Sequence, residues 1–131
     1  MKQMFKPGDR KVYIRTVQPA DVAAFHGEEV HPVCATFALA RDIEWTTRQF
    51  VLEMREDHEE GIGTFLSIDH KGPAFVGEAI VFSAWVDQIN GNELICFYEA
   101  HVNDRLIALG KTGQKILRRE KLDRLFKKDG G

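Results

Sequence analysis

The chain has 131 residues, 44% of them hydrophobic and 29% charged, and a formal net charge of −2. That length suits one domain able to bury about two-thirds of its unfolded surface, and the charge balance supplies no basic field for nucleic acid. No apolar run approaches the roughly 20 residues that cross a bilayer, and the opening MKQMFKPGDRK lacks a secretory core, so a cytoplasmic protein is expected.

After the lead-in Met1–Gly8, the segment Asp9–Gln18 alternates as a strand, with Val12, Ile14 and Thr16 on one face and Tyr13, Arg15 and Val17 on the other. Pro19 ends it. Asp21–Val33 begins weakly helical and is broken by Gly27 and Pro32, which predicts a loop or short helix lying over something as a lid. His26 and His31 in that segment have no third ligand at a recognisable spacing and read as surface residues, so no metal site is expected. Cys34 and Cys96 belong to no CxxC or Cys/His cluster; they fit a reducing compartment and are expected as buried thiols.

Cys34–Glu56 carries the one long helix. Ala40, Ile43, Thr47, Phe50 and Met54 recur at helical spacing, and Val51 widens the stripe. Arg41, Asp42, Arg48, Gln49, Glu53 and Glu56 fall opposite. Thr36 stands where an N-cap would, its hydroxyl ready for a free backbone N–H. Glu44 lies at the edge of the apolar stripe, which predicts either a partly desolvated carboxylate or a rim residue whose carboxylate reaches water.

Beyond the polar stop Asp57–Gly61 the pattern is β. Ile62–His70 alternates with Ile62, Thr64, Leu66, Ile68 and His70 on one face, and Lys71-Gly72-Pro73 ends it. Glu78–Gln88 turns Ile80, Phe82, Ala84 and Val86 one way and Val81, Ser83, Trp85 and Asp87 the other. Asn90-Gly91-Asn92 is a hairpin turn into Glu93–Val102, and Asn103-Asp104 leads to Arg105–Leu117. The charged tail, with Leu122, Leu125 and Phe126 at helical spacing, reads as a short helix. One strand, a helix and four strands make an α+β domain, an antiparallel sheet of about five strands wrapped around one long helix. Apolar residues on both strand faces, with Trp45 and Leu52 on the polar helix face, imply self-association.

Thr36, Glu44 and His70 together supply a hydroxyl, a carboxylate and an imidazole, enough for acyl transfer by a nucleophile or a general base. An unbroken helix separates Thr36 from Glu44 by about 12 Å, so the two meet through a fold-back, across a subunit boundary or through bound substrate.

The string ATFALARDIEW resembles the helix start of the fluoroacetyl-CoA thioesterase-like family, a branch of the hotdog-fold thioesterases. Ala35-Thr36 and Glu44-Trp45 match the family's two pairs without a gap, and His70 follows Glu44 by twenty-six residues at the end of a strand that opens Gly63-Thr64. The resemblance covers residues 9–119, leaving the charged tail 120–131, and implies a single hotdog domain over 1–131. It implies that Thr36, Glu44 and His70 form the active site of an acyl-CoA thioesterase acting on a small or medium acyl group, with Gly63 binding substrate through its backbone. No cofactor is needed, since CoA arrives as part of the substrate. The other function open to the same fold is that of a non-catalytic acyl-CoA or small-ligand binding protein. Phe25, the only aromatic residue of the lid segment, is the candidate acyl contact there, and Lys111, Lys115 and Arg118 are candidates for the CoA phosphates. The expected assembly is a homodimer, with a dimer of dimers as the larger option. The chain departs from the family at Gly72-Pro73-Ala74, where a diproline is usual, and at Gln114, where an arginine often sits; the lid segment shows little similarity.

Overall fold

The computed structural model describes residues 1–127. In chain order it contains β1 (Arg10–Thr16), a 3-10 turn (Pro19–Asp21), β2 (Val22–Phe25), β3 (Glu28–Cys34), α1 (Thr36–Met54), β4 (Glu59–Leu66), β5 (Asp69–His70), β6 (Ala79–Asn90), β7 (Glu93–Val102), β8 (Arg105–Arg118) and α2 (Arg119–Phe126). The sheet is antiparallel throughout, in the order β1-β6-β7-β8-β4, with β5 paired to the other half of β8. This curled sheet wraps α1 as expected, and the fold is the hotdog fold.

The periodicities explain why. α1 runs for 19 residues without glycine or proline, and its buried stripe carries Leu39, Ile43, Phe50, Val51 and Met54 at no solvent exposure. Opposite them, alternate residues of the central strands point inward: Ile80, Phe82, Ala84 and Val86 from β6, and Leu94, Cys96, Tyr98 and Ala100 from β7. Each large apolar side chain so buried stabilises the fold by roughly 1.5–3 kcal/mol. At β4 the helix comes so close that a Cβ on Gly61 would lie 2.5 Å from Val51 Cγ1. Both hairpin turns fall where expected, at Gly91-Asn92 and at Asn103-Asp104, with Asn103 in the left-handed region.

Three elements differ from expectation. Asp21–Val33 is neither loop nor helix: beyond Asp21 it forms a β-hairpin of β2 and β3 apart from the main sheet. His26 and Gly27 both have positive φ and make the two-residue turn, so the glycine read as a breaker is the hinge of the hairpin. Pro32 is tolerated because the two-stranded ribbon has only edge strands. The strand predicted at Ile62–His70 begins earlier, at Glu59, and is split into β4 and β5. Its pairing with β8 shifts between Gly63 and Phe65, a bulge that leaves Thr64 unpaired. Cross-strand partners share a face, so Gly61 and Gly63 face the helix before the bulge, while Leu66 and His70 face it afterwards. Ile62 and Thr64 therefore do not share a face with His70. The tail forms α2, with Leu122 buried and Leu125 and Phe126 exposed; the last residues of that predicted segment, 128–131, lie outside the described residues.

Candidate active site

Thr36 does not cap its helix. Ala35 holds the N-cap position with extended backbone and no side-chain cap, and Thr36 is the first helical residue. Its hydroxyl is hydrogen-bonded instead to His70, Oγ1 to Nδ1, at 3.0 Å. Two devices deliver His70 to that spot. β5 pairs His70 with the buried Ala108, which turns the imidazole to the helix side of the sheet. The preceding bend is pinned at Ser67, whose carbonyl accepts the Tyr98 hydroxyl at 2.7 Å and lies where Gly110 would otherwise carry a Cβ.

The helix start is held by an ionic network that the sequence pattern did not reveal. Asp21, 3% exposed, accepts the Gln18 N–H at 2.9 Å and Arg41 Nη2 at 3.1 Å, with Arg15 at 3.4 Å. Its own carbonyl accepts the Ala35 N–H at 2.8 Å, one residue before Thr36. Burial pushes the Asp21 carboxyl up, but the Gln18 N–H, Arg41 and Arg15 outweigh it and hold it below the usual carboxylate range. Asp42, expected on the solvent face, is buried and takes a two-pronged bond from Arg41 at 3.1 and 2.9 Å.

Glu44 takes the second of its two expected settings, the solvent-reached rim. In the protomer it is exposed, not partly buried, and its carboxylate makes no ion pair or hydrogen bond among the described residues. The wheel placed it beside Ala40 and Thr47, yet the sheet covers Thr47 and leaves Ala40 half-buried and Glu44 open. Glu44 lines a cleft of about 520 Å³ between α1, β1 and the β4–β8 pair, together with Tyr13, Arg15, Thr47, Arg48, Phe65, Thr112 and others. Gly63 opens onto this cleft, with no atom within 4 Å of where a Cβ would be, and stands opposite Gln114. Gln114 is buried and donates from Nε2 to Thr47 Oγ1 at 2.9 Å. Thr36 and His70 do not line this cleft. The structure thus joins two of the three candidate residues and puts the third, with Gly63, in a separate opening of the same protomer.

The other candidates are scattered. Phe25 is 66% exposed on the hairpin. Lys111 sits on the outer face of the sheet, 3.4 Å from Asp87 and over the Phe97 ring, and Lys115 and Arg118 are exposed along β8; none of the three lines the cleft. Cys34 and Cys96 are buried free thiols, pushed up to about 11 and about 12 chiefly by burial. His26 and His31 are exposed, and among the described residues no three His, Cys, Asp or Glu side chains gather as a metal ion would need. Of the cleft's polar lining, Tyr13, Arg15 and Thr112 escaped the sequence reading. Alternation alone placed Tyr13 and Arg15 on one face of β1, but nothing local marked that face as the inner one.

A hotdog sheet around one long helix, with a hydroxyl–imidazole pair at the helix start and an open carboxylate eight residues on, fits a thioesterase. The family model for the fluoroacetyl-CoA-specific thioesterase FlK matches residues 17–120, and the chain belongs to that family. Hydrolysis of acyl-CoA thioesters is its activity. Among solved structures, a Thermus thermophilus hypothetical protein described as a thioesterase superfamily member is 30% identical, with a TM-score of 0.90 over 95% of this chain and 92% of that one. The fluoroacetyl-CoA thioesterase FlK itself is 19% identical, with a TM-score of 0.86 over 96% of this chain and 100% of that one. A hot-dog-like protein from Thermanaerovibrio acidaminovorans is 17% identical, with a TM-score of 0.88 over 97% and 95% of the two chains. The comparison with curated protein sequences gives no match.

Proposed function

We propose that the enzyme works as a homodimer on a small or medium acyl-CoA, each active site taking Thr36 and His70 from one protomer and Glu44 from the other. The observation that carries this reading is the division within the protomer: Thr36 and His70 are bonded at 3.0 Å, while Glu44 stands about 12 Å along the helix with no partner among the described residues. Two surfaces favour the assembly. β4 is an edge strand, paired to β8 on one side only, and its free backbone groups invite a second β4. Phe37, Trp45 and Phe65, at 61%, 44% and 44% exposure, lie on the open face of α1 and on that same edge. A two-fold axis between neighbouring helices brings the middle of one helix toward the start of the other, twice. A further pairing through the outer sheet face, where Val12, Ile14 and Phe97 are exposed, accounts for a dimer of dimers. No helix among the described residues is long and apolar enough to cross a membrane, and two buried reduced thiols agree with a cytoplasmic setting.

In this site Thr36 and His70 hold the thioester carbonyl, and Gly63 lets the substrate close on the β4 backbone. Glu44 supplies the attack, either by taking the proton of an attacking water or on the carbonyl carbon itself, in which case water then hydrolyses the acyl-glutamyl anhydride to the free acid and restores Glu44. The C–S bond breaks, and CoA leaves with a proton relayed through the Thr36–His70 pair.

Subunit mixing tests the reading. Thr36→Ala and Glu44→Gln should each be nearly inactive alone. Refolded together in equal amounts, half the dimers are mixed and one of the two sites in each is intact, so about a quarter of wild-type activity should return. If none returns while the mixed dimer is seen by mass, both residues act within one protomer and the composite site is wrong.

A further inference from the structure

We propose that Arg48, Arg55 and Arg119 form the seat of the CoA phosphates; the inference rests on the reading that the thioester lies in the cleft beside Glu44. Three guanidiniums converge there on a single carboxylate. Glu60 takes Arg48 Nη2 on Oε1 at 3.0 Å and Arg55 Nη1 on Oε2 at 2.5 Å, with Arg119 Nη2 3.6 Å from Oε2. No other carboxylate among the described residues comes within 4.0 Å of these arginines. Glu53 is paired to Lys11 and Glu59 to the terminal ammonium, while Glu56 and Asp57 in the intervening turn make no ion pair. Three positive charges against one leave an excess of two, on a chain whose net charge is −2. Most of the N–H donors are also unused. Arg48 and Arg55 each make one hydrogen bond, and Arg119 makes one, from Nε to the Asp57 carbonyl at 3.3 Å. A planar fork of five donors suits phosphate oxygens, and the three side chains, 29% to 52% exposed, are open to a ligand.

Position ties the cluster to the reaction. Arg48 lines the cleft with Glu44 and Gly63, one helical turn beyond Glu44. Arg55, the C-cap of α1, stands eleven residues from Glu44, about 16 Å at the helical rise. The pantetheine arm of CoA runs about thirteen bonds from sulfur to phosphorus, roughly 15 Å extended at the 3.3–3.6 Å that three bonds of chain allow. A thioester beside Glu44 therefore sets its phosphates down among the arginines. The Gly61 N–H is taken by Glu60 Oε1 at 2.9 Å, so pairing along the β4 edge is left to the residues beyond it and the cluster lies to one side. The lysines of β8 offer no such seat: Lys111 is held at Asp87 on the outer face, and neither it nor Lys115 lines the cleft.

The test compares butyryl-CoA with butyryl-pantetheine, which has the same thioester and arm without the phosphates, in the wild type, Arg55→Gln, Arg119→Gln and Lys111→Gln. In the wild type kcat/KM should favour butyryl-CoA by on the order of a hundredfold. In the arginine variants that preference should fall by about tenfold, the worth of one charge-assisted bond. The fall should sit in KM rather than kcat, because phosphates are held alike in ground and transition states. The ratio is internal to each preparation and so independent of how much protein folds. A fall in either arginine variant supports the proposal. A preference absent in the wild type, unchanged in both arginine variants, or lost in Lys111→Gln instead overturns it and leaves the thioesterase reading standing. If Glu44→Gln proves as active as the wild type, or no thioester turns over, the reading of Glu44 fails by itself. Calorimetry with free CoA then decides the cluster. Binding about tenfold weaker in Arg55→Gln than in the wild type, by a margin that shrinks in added salt, supports it, and equal binding overturns it.

Discussion

Asp42 and Glu44 are two residues apart on one helix and have opposite surroundings. On the flank toward β1, Asp42 is 6% exposed and shares Arg41 and Arg15 with Asp21. On the other flank Glu44 faces an open cleft with no partner among the described residues. Charges that are buried and fully paired hold geometry, because removing one strands the others. A carboxylate that is neither buried nor paired contributes little to stability and stays available for chemistry. The first flank fixes the helix start and hence Thr36; the second carries the carboxylate proposed to act on substrate.

The sharpest way to break that contrast is Glu44→Gln, which keeps shape and removes charge. kcat should fall by roughly two to four orders of magnitude, while the melting temperature stays put, since exposed substitutions change stability by only about 0.5 kcal/mol. Activity and melting measured on one preparation decide it. Asp21→Asn should show the inverse pattern. Stability should drop by about 2–3 kcal/mol in urea unfolding, less than for a fully buried pair because Arg41 and Arg15 reach water, and turnover per folded molecule should change far less than in Glu44→Gln. Gly61→Ala probes the spacing of helix and sheet: a methyl 2.5 Å from Val51 Cγ1 should cost about 1–3 kcal/mol by overpacking, read as a lower melting temperature.

The mildest prediction concerns acid. Burial raises the Glu60 carboxyl, but the Gly61 N–H, Arg48 and Arg55 bring it down to about 2. A carboxyl lowered on folding stabilises fully above its ordinary value of 4.5 and loses that contribution as pH falls toward about 2. Glu60→Gln should therefore lower stability by about 1–2 kcal/mol at pH 7 and by progressively less between pH 4.5 and pH 2. A variant whose deficit is the same at both ends would show that the pairing with Arg48 and Arg55 is idle.

The helix and the central strands were legible because each has a single periodicity and one covered face, as the zero exposure of Ile43, Phe50, Phe82 and Ala100 shows. The family resemblance, read from the spacing of Thr36, Glu44 and His70, is borne out by the family match over residues 17–120, and of those three candidates the structure bonds Thr36 to His70. What escaped was set by partners distant in sequence. A helical wheel ranks Asp42 as polar and places it outside; two arginines, one from β1, make the inside affordable. The hairpin was missed because glycine and proline interrupt any regular element, and only the left-handed pair His26-Gly27 turns that interruption into a tight turn.

The bulge at Thr64 has a consequence for where chemistry is possible on this sheet. Gly63 and His70 are seven residues apart, an odd number, and in an unbroken strand they would project from opposite sides. The one extra residue changes the parity, and both then face the helix. Loss of a single codon there would leave every side chain of the site intact and turn the imidazole, or the glycine, to the back of the sheet.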